Sequence, residues 1–89
     1  MTLELEYDID LTEKDGLTLL TVPSTGQVLC LNPTARLVVT LLEQGTTRDD
    51  MVEAIMDAFD ADDSARVRLD LNECLFGLAQ EGLLDRGIL

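Results

Sequence analysis

The segment Gln27–Gly45 reads QVLCLNPTARLVVTLLEQG, an apolar strand that runs directly into a capped helix. Leu29 and Leu31 alternate with Val28 and Cys30, and nothing from Gln27 to Leu31 carries a charge. Asn32 places a side-chain acceptor before the first helical N–H groups, and Pro33 stands where a missing N–H costs nothing. Leu37, Val38, Leu41 and Leu42 then recur at helical spacing, and Gly45 offers the left-handed stop. The chain before this segment reads as sheet, and the chain after it reads as helix.

Toward the N-terminus, Pro23-Ser24-Thr25-Gly26 marks a turn, and Leu17–Val22 is a second strand. Its apolar positions change parity between Leu19 and Leu20, as a bulge or burial on both faces would produce. Asp15-Gly16 marks another turn. Before it, Leu3, Leu5, Tyr7, Ile9 and Leu11 alternate with Glu4, Glu6, Asp8 and Asp10, which predicts a first strand with one apolar and one acidic face. Two short turns in succession imply an antiparallel meander in the order one, two, three. The four carboxylates of the first strand discourage another chain from pairing there, whereas the uncharged third strand is the open edge unless a helix covers it.

Toward the C-terminus, Thr47 is placed to cap a second helix, with Asp49 and Asp50 in its first turn where the helix dipole favours them. Met51, Val52, Ile55, Met56 and Phe59 form its core-facing stripe. The acidic linker Asp60 to Ser64 invites a calcium-loop reading, but Ala65 stands where the loop requires glycine and Leu71 where it requires glutamate. Calcium is not expected, and Asp63 or Ser64 is read as the cap of a third helix, about Ala65 to Glu81.

At ~100° per residue, Val67, Leu71, Cys74, Leu75 and Leu78 of that helix share the core face. Leu69 and Phe76 fall on the opposite side, with Ala65 near them and Asn72, Glu73 and Gln80 flanking; Arg66 is close on the same projection. Two apolar residues scattered on a surface are ordinary, and a second docking surface is the functional alternative. Gly82 ends the helix, Leu83 and Leu84 fold back onto the core, and Asp85 to Leu89 fray. The fold class expected is α+β, a three-stranded antiparallel sheet followed by a three-helix bundle, in a single domain spanning residues 1–89.

Composition narrows the function. Eighteen acidic and six basic residues give a net charge of −12, which repels phosphate backbones and anionic headgroups alike, so no nucleic acid or membrane partner is expected. No apolar run approaches the ~18 residues that span a bilayer and no signal peptide is evident, which reads as cytoplasmic. Only three residues are aromatic, so the core must be aliphatic. Cys30 and Cys74 lack the spacing of a metal site and read as small buried hydrophobes. Without histidine, and with Lys14, Ser24, Cys30 and Cys74 unclustered, no catalysis, metal or cofactor is expected.

Three segments together are recognisable: LNPTA at Leu31 to Ala35, the helix TTRDDMVEAIMDAF, and DLNECLFGLAQEGLL at Asp70 to Leu84. In this order and at these separations, from about Gly16 to Leu84, they resemble the PqqD-like family of recognition elements for ribosomally made, post-translationally modified (RiPP) precursor peptides. In the last segment the pattern falls on Asp70, Leu71, Cys74, Leu75, Leu78, Gly82, Leu83 and Leu84. The resemblance implies a winged-helix-like domain without chemistry of its own. It implies capture of a precursor's leader peptide as a strand beside the third strand, in a groove bounded by the third helix, for presentation to a modifying enzyme such as a radical SAM enzyme, a protease or a cyclase. Pyrroloquinoline quinone, lasso peptide and other such pathways stay open.

The contacts expected for a bound peptide are Gln27, Val28, Leu29, Cys30 and Leu31 on the strand, and Arg66, Leu69, Glu73 and Phe76 on the helix. The alternative is a protein–protein adaptor using the same edge and helix surface. A winged-helix DNA binder ranks lower, because its third helix should be basic and this one sets Arg66 and Arg68 against Asp70, Glu73 and Glu81.

Overall fold

The computed structural model describes residues 2–85. Its elements are β1 (Asp10–Lys14), β2 (Leu17–Val22), β3 (Gln27–Leu31), α1 (Pro33–Gln44), α2 (Arg48–Ala58) and α3 (Ser64–Gln80). The sheet is an antiparallel meander in the order β1-β2-β3. The expected α+β architecture, three strands and then three helices, is the one observed.

The capping chemistry read from the sequence is present. Asn32 accepts from the Ala35 N–H at 2.7 Å, Thr47 from the Asp50 N–H at 3.1 Å, and Asp63 from the Arg66 N–H at 3.2 Å. Each cap satisfies a helical donor that would otherwise lack a partner. At the far end of α3, Gly82 adopts φ 82°, its N–H donates to the Ala79 carbonyl at 3.0 Å, and the Leu83 N–H donates to the Leu78 carbonyl at 2.9 Å. This glycine-terminated turn drops Leu83 and Leu84 into the core, where both are buried.

One face of the sheet meets all three helices. Leu20, Val22 and Leu31 pack with Val38, Val39 and Leu42 of α1, Met51, Val52 and Ile55 of α2, and Val67, Leu71, Leu75, Leu78 and Ala79 of α3. Val39 joins this core, while Leu37 and Leu41 are only half-buried. The parity change in β2 is neither a bulge nor two-sided burial. Pairing with both neighbours is continuous; Thr18, Leu20 and Val22 face inward, Leu17 is exposed and Leu19 half-buried on the outer face.

The first strand is displaced from the expected Leu3–Leu11. A two-residue turn pins Lys14 opposite Leu17, so the six-residue β2 runs out of partners near residue 10. The residues before β1 form an arm that alternates in burial without a ladder. Leu3 is only 1% exposed and exchanges backbone hydrogen bonds with Thr46, and the Glu6 N–H donates to the Leu83 carbonyl at 2.9 Å. A period of two reports which side chains turn inward, and burial alone can impose it. Tyr7 escapes even that pattern and is exposed. Of the four carboxylates assigned to the first strand, only Asp10 lies in β1.

Two other expectations are corrected. Phe59 leaves the core stripe because α2 ends at Ala58 and Asp60 turns the chain with φ 51°, which leaves the ring exposed. Cys30 is exposed because its position in β3 points away from the core; Cys74 is half-buried, and burial pushes its thiol pKa up. The expected fraying beyond Asp85 falls on 86–89, outside the described residues.

Candidate functional site

Among the described residues no strand pairs with the outer side of β3, so its backbone groups are available. The turn at the other hairpin determines which residues offer them. Asp15 (φ 53°) and Gly16 (φ 79°) are both left-handed, the signature of a type I′ turn, and such a turn is closed by a hydrogen-bonded pair, here Lys14 and Leu17. Bonding direction alternates along a strand, so Leu17, Leu19 and Thr21 bond toward β1, while Thr18, Leu20 and Val22 bond toward β3. Their partners Leu31, Leu29 and Gln27 therefore bond inward. Val28 and Cys30 are left to present N–H and C=O outward, with side chains on the exposed outer face.

Beside this edge runs a groove of about 500 Å³ between β3 and α3. Its strand side is Leu29, Cys30 and Leu31, its mouth is shared by Asn32, Thr34 and Ala35 at the start of α1, and its helix wall is Asp70, Glu73, Cys74, Gly77, Leu78 and Glu81. One end is tied by Gln27, whose Nε2 donates to the Glu81 carbonyl at 3.1 Å and to Glu81 Oε2 at 2.8 Å. Leu29, Leu31, Cys74 and Leu78 supply the apolar part of its lining. Three carboxylates line its helix wall and no lysine or arginine lines it.

The structure divides the residues singled out on the third helix. Glu73 lines the groove; Leu69, 62% exposed, and Phe76, 56% exposed, lie outside it. Phe76 instead borders a second depression of about 510 Å³ between α2 and α3, together with Arg48, Val52, Arg68, Leu71, Asn72 and Glu73. Arg66 is joined to Asp70 one turn along at 3.4 Å, and Arg68 to Asp49 of α2 at 2.9 Å. Asp70, Cys74, Gly77, Leu78 and Glu81 were not singled out for this wall. For Asp70, Gly77 and Glu81 the signal is a face turned roughly 90° from the core stripe, traced with Glu73 at steps of three and four, whereas Cys74 and Leu78 belong to the core stripe itself.

The arrangement offers backbone hydrogen bonds and an apolar trough, which suits an extended chain. Among the described residues no group of three or more Asp, Glu or Cys is placed to hold a metal ion, and no helix is long and apolar enough to cross a membrane.

Among curated proteins none matches this sequence. A solved structure, TbiB1 in complex with the TbiA(beta) leader peptide, has the same fold at 25% sequence identity, with a TM-score of 0.77 over 94% of this chain and 96% of that one. The family model for coenzyme PQQ synthesis protein D (PqqD) matches residues 17–84. The match opens at the first residue of β2 and closes on the buried Leu84. It therefore takes in the free edge, the groove and the glycine turn that seals the core, and by that span the chain belongs to the PqqD family.

Proposed function

We propose that this protein is a non-catalytic module that captures the leader of a ribosomally synthesised precursor peptide and holds it for a modifying enzyme. The leader adds as a fourth strand, exchanging backbone hydrogen bonds with Val28 and Cys30 while alternate side chains enter the β3/α3 groove. Leu29, Leu31 and Cys74 supply apolar lining, and Glu73 stands at the helix wall. The observation that carries this reading is the uncharged free edge beside a groove, in a fold shared with a protein solved with a leader peptide on it. The partner enzyme is of the class that modifies such peptides, and the module works in the compartment where the precursor is made.

The test is isothermal titration of the folded protein with the leader of a small peptide encoded beside its gene. Binding to the parent that disappears in Cys30→Pro, with circular dichroism unchanged, is the expected outcome. A folded parent that ignores the leader would move the assignment to an adaptor that grips a folded protein by the same edge.

A further inference from the structure

Gly77 sits in the interior of α3, where glycine costs stability relative to alanine. Nothing in the chain asks for it. Its φ is not among the positive values found at Gly16, Gly26, Gly45 and Gly82, and a Cβ built there meets no atom within 4 Å. The glycine instead leaves a notch in the helix wall of the groove, with Cys74 and Leu78 at its apolar border.

Glu73 and Glu81 stand four residues to either side of the notch. One such step advances ~6 Å along a helix, and side chains on one face of a strand repeat every ~6.7 Å. Three successive same-face side chains of an added strand therefore come opposite Glu73, Gly77 and Glu81 in turn. The order is symmetric, so it holds whichever way the strand runs. Among the described residues Glu73 has no ion-pair or hydrogen-bond partner, and the Glu81 carboxylate is bonded to the neutral Gln27 amide and to no cation. Asp70, the remaining carboxylate of the wall, is paired with Arg66.

We infer that the groove selects a leader carrying a large apolar side chain, seated in the Gly77 notch, with lysine or arginine two residues before it and two residues after it. This rests on the strand-addition reading above and adds to it the class of peptide taken. The contacts with Glu73 and Glu81 are solvent-exposed, so affinity falls as salt rises.

The test is selection of a displayed library of random twelve-residue peptides against the whole protein. The expected winners carry the basic, any, large apolar, any, basic pattern and lose binding to Cys30→Pro. Gly77→Leu, which fills the notch, should weaken them at least ~10-fold and shift the central residue of its own winners to a small one. Gly77→Ala keeps the fold and loses less. Glu73→Lys with Glu81→Lys should turn the selected flanks acidic. Winners that depend on the edge but lack the pattern, or keep a large central residue against Gly77→Leu, overturn this inference and leave strand addition standing. If no winner depends on Cys30, strand addition fails and the inference with it.

Discussion

The strands β1 and β3 flank the same central strand, each is five residues long, and each turns one row of backbone groups away from it. They differ in what surrounds those groups. The β1 edge carries Asp10, Glu13 and Lys14, with Glu13 in an ion pair with Arg36 of α1. The β3 edge carries no charge and has the wall of α3 alongside. Hydrogen-bonding capacity is thus the same at both, and side-chain chemistry decides which edge accepts a partner.

The largest effect is expected from a proline scan of β3. Leu29→Pro removes an N–H that bonds to β2 and should unfold the protein, whereas Val28→Pro and Cys30→Pro remove outward N–H groups and should leave circular dichroism intact while abolishing peptide binding. If all three behave alike, the assignment of outward residues is wrong. Next in size is the contrast between faces of the same strand. Leu31→Ala empties a core position and should cost ~2–5 kcal/mol in urea unfolding, and Val28→Thr, on the exposed face, should stay within ~0.5 kcal/mol.

The wall beside β3 gives a smaller effect. Gly77→Ala should stabilise the protein by ~1 kcal/mol through helix propensity, raising Tm; a lower Tm would mean that the notch is occupied by the chain itself. Converting β1 to an uncharged edge, with Asp10→Thr, Glu13→Thr and Lys14→Thr together, should cost no more than ~1 kcal/mol from the exposed Arg36 pair. Sedimentation should then show more self-association than in the parent. A variant that associates no more than the parent at millimolar concentration would show that charge is not what closes this edge. Smallest is the pH effect at the groove wall. Burial raises the Cys74 pKa in the folded state, so the folded protein holds that proton longer than the unfolded chain does. Its contribution to stability is complete below the ordinary thiol range and is lost as pH rises through the folded pKa, a decline that Cys74→Ala should flatten in denaturation at alkaline pH.

Legibility tracked the range of the forces involved. Asn32, Thr47, Asp63 and Gly82 act within one turn of chain, so their roles could be read from neighbours in sequence. The limits of β2 and β3 were equally local, bracketed by Asp15-Gly16 and Pro23–Gly26. The extent of the first strand was not, because it depends on how many partners β2 has left after the turn fixes the register. The α3 surface shows a different limit. A helical projection separates the core side from everything else but cannot say which of the remaining directions faces β3; the exposed Leu69 and Phe76 lie outside the groove, and the row of Asp70, Glu73, Gly77 and Glu81 lines it.

The tie between Glu6 and Leu83 has a kinetic consequence. The two residues lie near opposite ends of the described chain, so the contact closes a very long loop, and Leu3 cannot settle against Thr46 until the turn between α1 and α2 has formed. Contacts of such long sequence separation are expected late, after the meander and the helices have condensed. Weakening the arm should then leave the refolding rate nearly unchanged and speed unfolding. In a stopped-flow chevron of Leu3→Ala, the destabilisation should fall almost wholly on the unfolding limb, which makes the acidic arm a latch on the lifetime of the folded state.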